Sequence, residues 1–273
     1  MELSTLDCIE GAMKTTLITG ASSGIGEVFA RKVAARGENV VLVARSEEKL
    51  SALCNELGRA HSVNCQTIAL DLSAAGAARR LFEETARRGL EVDTLINNAG
   101  FGSMGDLLSL DLARELNMID LNVKSLVELT YLYLAPMRKR RRGYIINVAS
   151  TAAFQPVPYM ATYAASKAFV LSFSEALWDE NRAYNIRVMA LCPGATETNF
   201  FNAAGVRKPP FRVAETAEDV VATALRGLER GKGHIISGWI NYVQTQAERL
   251  VPRSLVTRIA GAGMRSGLKI KTD

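Results

Sequence analysis

Thr19-Gly20-Ala21-Ser22-Ser23-Gly24-Ile25-Gly26 joins a strand-length apolar run, Thr15–Thr19, to a segment of helical composition, Gly24–Arg36. A glycine-rich turn in that setting is a bed for a dinucleotide pyrophosphate. The free backbone N–H groups of the helix start face the anion, and the helix dipole favours negative charge there. Gly20 would permit the tight turn, Gly24 would let the backbone approach phosphate, and Gly26 would let the helix pack closely on its strand. Ser22, Ser23 and Ile25 belong to the same phosphate-binding turn. The spacing is GxxxGxG rather than GxGxxG, so the reading depends on the flanking strand and helix.

Working outward, strand-like and helix-like segments alternate. After the first pair come a strand at Asn39–Ala44, a helix at Glu47–Leu57, a strand at Thr67–Leu70 and a helix at Ala74–Arg88. A strand at Asp93–Asn97 precedes one long helix, Leu112–Arg138. Strands at Tyr144–Ala149 and Ile186–Cys192 enclose a helix at Tyr159–Asn181, and a helix at Glu215–Glu229 leads to a seventh strand at His234–Ser237. Such alternation forces parallel strands joined by right-handed crossovers. The expected fold class is therefore α/β: a doubly wound, parallel, seven-stranded sheet whose ligand cleft lies beyond the carboxyl ends of the strands. The 273 residues read as one domain, with an arm at 1–13 and a helical extension at 238–273.

Composition narrows the function classes. Net charge is +5, with much of the excess in Arg138-Lys139-Arg140-Arg141-Arg142 and in the tail from Arg249 to Lys271. The arginine run reads as a helix end, where cations complement the dipole, with Gly143 as the residue that stops the helix. No aromatics are interleaved with it, so no nucleic-acid partner is expected. The N-terminal stretch Met1–Cys8 is too acidic and too weakly apolar to read as a signal peptide. The four cysteines, Cys8, Cys54, Cys65 and Cys192, show no pairing rhythm, and only two histidines accompany them. The expectation is free thiols, no metal site and a cytoplasmic setting.

The strand ends carry the candidate site. The second strand ends Val43-Ala44-Arg45. An acid there would hold the adenosine ribose hydroxyls, whereas Arg45 favours a 2′-phosphate, so NADP is expected over NAD. Asp71-Leu72 suits the adenine amine. Asn97-Asn98-Ala99-Gly100 puts two amides and a glycine against the cofactor. Beyond the fifth strand lies Ser150, thirteen residues before Tyr163, and Lys167 follows one helical turn later. A phenol with a neighbouring cation, and a hydroxyl to share developing charge, can move a proton at a carbonyl oxygen.

Taken in order, TGASSGIG at Thr19–Gly26, NNAG at Asn97–Gly100, Asn122, Ser150, the Tyr163-to-Lys167 pair and Pro193-Gly194 followed by Thr198 resemble the short-chain dehydrogenase/reductase superfamily, in its compact single-domain form. The resemblance spans about Lys14 to Ser237 and implies a Rossmann-type fold. It implies that Tyr163 is the general acid/base. Lys167 then holds the nicotinamide ribose and depresses the tyrosine pKa, and Ser150 donates to the substrate oxygen. Asn122 is the helix-breaking asparagine that holds a water behind the lysine. Pro193, Gly194, Thr196 and Thr198 sit by the nicotinamide, with Thr198 at its amide. The resemblance further implies a homodimer or homotetramer built on the helices Leu112–Arg138 and Tyr159–Asn181. Those helices carry apolar surface at Leu126, Leu129, Leu132, Phe169 and Phe173.

Three variable stretches are expected to wall the substrate, through Phe154, Val157 and Met160, through Phe200, Phe201 and Phe211, and through Trp239 and Tyr242. Mostly apolar walls point to a hydrophobic ketone or aldehyde, or the matching alcohol. In Gly238–Gly267, Leu250, Val251, Leu255, Val256 and Ile259 recur among arginines. That pattern fits a cap on the pocket, a contact with a neighbouring subunit, or an amphipathic helix on a membrane face. A non-catalytic dinucleotide sensor on the same fold is the alternative function, and the intact Asn122, Ser150, Tyr163 and Lys167 set opposes it.

Overall fold

The computed structural model describes residues 14–198, 200 and 215–268. The arm at 1–13, and with it Cys8, lies outside them, as do the substrate-wall candidates Phe201 and Phe211. Seven parallel strands stand in the order β3-β2-β1-β4-β5-β6-β7. They are β1 (Thr15–Thr19), β2 (Asn39–Ala44), β3 (Cys65–Ala69), β4 (Thr94–Asn97), β5 (Gly143–Val148), β6 (Ile186–Cys192) and β7 (His234–Ile236). The order reverses at β1 and β4, so a crevice opens at their carboxyl ends.

The strands read as continuous apolar runs because both faces are covered. Ile18, Leu42, Ile96, Ile146 and Met189 face α1 (Gly24–Ala34), α2 (Glu47–His61) and the late helix Ala217–Glu229, meeting Phe29, Leu50 and Val221. Their neighbours Leu17, Val41, Leu95, Ile145 and Val188 turn to the opposite face, toward α3 (Ala77–Arg87) and the helix Leu126–Arg140. The period of two along each strand sends consecutive apolar side chains into separate cores.

The long helix expected over Leu112–Arg138 is not continuous. It comprises α4 (Leu112–Ile119), a π-helical segment over Asp120–Ser125, and α5 (Leu126–Arg140). Asp111 caps α4, its side chain accepting from the Ala113 N–H at 3.0 Å. The wider π turn brings Asn122 inward, where its side chain holds the backbone of Phe101. Such turns are commonly placed at functional sites.

After α5 come α6 (Ala161–Glu180), α7 (Ala217–Glu229), α8 (Trp239–Glu248) and α9 (Arg253–Leu268). Arg141, not Gly143, takes the left-handed position that ends α5, at φ 53°; Gly143 pairs in β5 with Ile186. The arginine run serves the fold. Arg138 bonds Asn181, Arg140 donates to the Val92 carbonyl, Arg141 to the Ala183 carbonyl, and Arg142 pairs with Asp93.

The expectation of free thiols is corrected at one pair. Cys54 on α2 and Cys65 on β3 form a disulfide, with Cα atoms 5.4 Å apart. The left-handed turn at Ser62 folds the chain back so that β3 packs on α2 and the two residues meet. Cys192 is a buried free thiol. The bond removes the thiol-based reason for expecting a reducing compartment.

Candidate active site

The carboxyl ends of the strands and the extension enclose a cleft of about 1020 Å³. Its dinucleotide end is built by the turn after β1. Gly20 has φ +66°, and a Cβ there would lie 2.8 Å from Asn98 Nδ2 and 3.0 Å from Ala99 Cα. A side chain is barred on both counts. A Cβ on Gly26 would strike the Gly20 carbonyl oxygen. The first turn of α1 therefore rests directly on the loop, and Ser22, Ser23, Gly24 and Ile25 line the cleft while Gly26 stays behind them. Ser23 begins the helix without a side-chain cap bond, which leaves the first N–H groups to a ligand. The cradle fits a pyrophosphate.

Arg45, Asp71, Leu72, Asn98, Ala99 and Gly100 all line the same cleft, with Pro193, Gly194, Thr196 and Thr198. Partial desolvation opposes ionisation of Asp71. Bonds from the Ser73 side chain and backbone, with Arg45 nearby, outweigh it and hold the carboxyl below its usual range. Two expectations change. Asn97 does not face the cofactor; its amide donates to Asn147 Oδ1 at 2.9 Å and to Thr130 Oγ1 at 3.1 Å inside the sheet. The Asn98 amide ties back to the carbonyls of Thr19 and Gly20, so it braces the turn. Sequence reading missed Ser46 and Lys49, which line the cleft beside Arg45 at the start of α2. Their signal was the single helical turn from Arg45 to Lys49.

Ser150, Tyr163 and Lys167 converge on the cleft from β5 and α6. Burial pushes the Tyr163 phenol up to about 12, opposed by a hydrogen bond from Ser150. Burial also brings Lys167 down to about 8, opposed by the nearby Cys192. The Lys167 ammonium donates to the Val148 carbonyl at 2.8 Å and lies 5.9 Å from the Tyr163 ring centre. In this structure burial, not the lysine, dominates the phenol, contrary to the expected depression. Asn122 stands behind them and does not line the cleft. Its amide bonds the Phe101 carbonyl at 2.9 Å and Ser166 Oγ at 3.2 Å.

The cleft thus brings a glycine-rich cradle, a serine hydroxyl, a phenol and an ammonium together at the carboxyl ends of the strands. The model of the short chain dehydrogenase family matches residues 14–208. The chain belongs to that family. As a short-chain dehydrogenase it is an oxidoreductase. A very-long-chain 3-oxoacyl-CoA reductase of Macaca fascicularis is 33% identical over 240 residues, covering 84% of this chain and 75% of the relative. A human 17-beta-hydroxysteroid dehydrogenase type 3 is 37% identical over 186 residues, covering 67% and 59%. A solved short-chain dehydrogenase from Sphingobium yanoikuyae in complex with NADPH superposes with a TM-score of 0.80 at 30% identity, covering 96% of this chain and 97% of its own.

The family site carries its own apolar wall. Met104, Met118, Met160, Tyr163 and Met264 form one buried cluster, with Phe101, Val157 and Phe200 against it. Val157, Met160 and Phe200 line the cleft as expected. Phe154 instead packs toward α6 and lies 6.1 Å, centre to centre, from the His234 ring. Trp239 and Tyr242 point outward, 76% and 54% exposed; their helix offers Asn241 and Gln244 to the cleft. The extension is a cap on the cleft, with α9 contributing Ala260, Gly263 and Met264.

Proposed function

We propose that this short-chain dehydrogenase reduces a hydrophobic ketone or aldehyde with NADPH. The observation that carries the reading is a phenol hydrogen-bonded by Ser150, with Lys167 beside it, at the floor of a cleft walled by Val157, Met160, Phe200 and Met264. The printed names of the relatives, an oxoacyl thioester reductase and a hydroxysteroid dehydrogenase, agree with an apolar carbonyl compound. A bound reduced nicotinamide would supply the hydride. Tyr163, a phenol that is protonated at neutral pH, donates its proton to the carbonyl oxygen. The Ser150 hydroxyl donates to the same oxygen as charge develops. The Lys167 ammonium offsets the charge left on the phenolate. Thr198 and the Pro193–Thr196 shelf hold the nicotinamide end.

Preference for NADP rests on Arg45, Ser46 and Lys49 at the start of α2, with no acid at Ala44. Arg45→Ala is expected to weaken NADPH binding roughly tenfold, the loss of about 1.5 kcal/mol for one charge-assisted bond, and to leave NADH unchanged. Fluorescence titration of both cofactors checks this, and equal wild-type affinities for the two would end the assignment.

We also read the protein as a homodimer or tetramer. Leu126 and Leu129 are buried in the chain's own core, but Leu112, Leu116, Tyr131 and Phe169 on α4, α5 and α6 are exposed. An isologous contact would cover them. Light scattering at micromolar concentration should give at least the dimer mass, 59.2 kDa from two chains of 29.6 kDa; a monomer mass would refute it.

A further inference from the structure

The last helix turns Ala260, Gly263 and Met264 toward the cleft, the i, i+3, i+4 spacing of one helical face. Met264 is 4% exposed and packs in the cluster that holds Tyr163. Gly261 has a different duty. A Cβ there would meet Pro158 Cγ at 3.2 Å, so the helix is seated closely on the loop that carries Val157 and Met160. Gly263 has no such duty. Among the described residues, a Cβ built on it meets nothing within 4 Å, although the residue borders the cleft. Neither a left-handed backbone nor a close neighbour among the described residues requires glycine at this point. Glycine is also the weakest ordinary helix former, so its presence in mid-helix carries a folding cost without a packing gain. What it leaves, at an exposed position on the cleft side of the helix, is room one residue from Met264, whose side chain packs with the phenol.

We propose that Gly263 is a specificity-determining gap, and that the space it leaves accepts the distal part of an extended apolar chain whose carbonyl lies at Tyr163. The carbonyl placement rests on the reductase reading. The gap itself is a statement about binding and is tested separately from turnover. A leucine at this position starts from a Cβ that meets no described residue and extends a branched aliphatic group into the space. It displaces roughly two methylenes of a long ligand from the wall, which costs about tenfold in affinity. It does not reach the nucleotide cradle, so NADPH affinity stays at the wild-type value, and its better helix propensity keeps the melting temperature at or above wild type.

The test uses the full chain saturated with NADP⁺, which binds a ketone without reducing it, and 2-dodecanone as probe. Calorimetric titration is expected to show binding to wild type, weaker binding to Gly263→Ala, and about tenfold weaker binding to Gly263→Leu. With NADPH, kcat/KM for 2-dodecanone should fall by a similar factor while that for 2-pentanone changes less than about twofold, since a short chain ends before the gap. Equal affinity of Gly263→Leu and wild type for 2-dodecanone overturns the proposal, and so does absence of binding by wild type. Binding that Gly263→Leu weakens, in a protein that reduces no ketone, upholds the gap and ends the reductase reading instead.

Discussion

Tyr163→Phe is expected to lower ketone reduction by at least about 10²-fold, the usual contribution of a positioned acid, while leaving NADPH affinity within about twofold of wild type. The substitution removes one oxygen and keeps the ring. That ring is 8% exposed and lies 5.2 Å, centre to centre, from Phe200, so its packing in the methionine cluster is retained. The proton donor is lost, and no neighbour replaces it. Ser150 is engaged with the Ala152 N–H, whose bond it accepts at 3.1 Å, and a serine hydroxyl is a far weaker acid than a phenol. Single-turnover reduction followed by loss of NADPH absorbance isolates the chemical step. Comparable rates for the two proteins would remove Tyr163 from the proposed role. A variant that also lost NADPH binding would show that the phenol serves the cofactor rather than the proton.

The sheet was legible because its strands are buried on both faces. β1, β2 and β6 begin and end where the apolar runs do. β3 was misplaced because it is an edge strand whose first residues, Cys65, Gln66 and Thr67, are only partly buried. The break at Asp120–Ser125 was hidden by a helical period that continues on both sides of it. Only the inward bonds of Asn122 to Phe101 reveal why the turn widens. The Cys54 to Cys65 bond depends on a reversal at Ser62, a three-dimensional fact that spacing alone does not encode. The cradle and the Ser150, Tyr163 and Lys167 set were readable from residue type and order. The wall contributed by the extension was not. Of its visible aliphatics, Leu250, Leu255 and Ile259 point outward at 88%, 47% and 63% exposure, while Val256 is buried. The residues that meet the cleft are Asn241 and Gln244 on α8 and an alanine, a glycine and a methionine on α9, which carry no pattern of their own.

Lys167→Met is expected to separate activity from stability, because the lysine is placed for chemistry at a cost to the fold. Its side chain is 5% exposed, and burial brings its pKa from 10.5 down to about 8. The sign follows from proton binding. Above pH ~10.5 both folded and unfolded chains hold the amine neutral, and burial costs nothing extra. As pH falls from about 10.5 to about 8, the unfolded chain takes up a proton that the folded chain does not, so stability declines through that window and stays low below it. The loss is on the order of 3 kcal/mol for a shift of this size. Methionine carries no charge, so the variant should lose this slope and be more stable than wild type at pH 7. The gain is reduced by about 1 kcal/mol because the bond to the Val148 carbonyl is also removed. Activity moves the other way. Without the ammonium nothing offsets the charge on the phenolate, and turnover should fall at least about 10²-fold, with weaker cofactor binding. Denaturant unfolding at pH 7 and pH 10 reads the first half and steady-state reduction the second. A variant less stable than wild type at pH 7 would contradict the burial cost, and one with undiminished turnover would take Lys167 out of the chemistry.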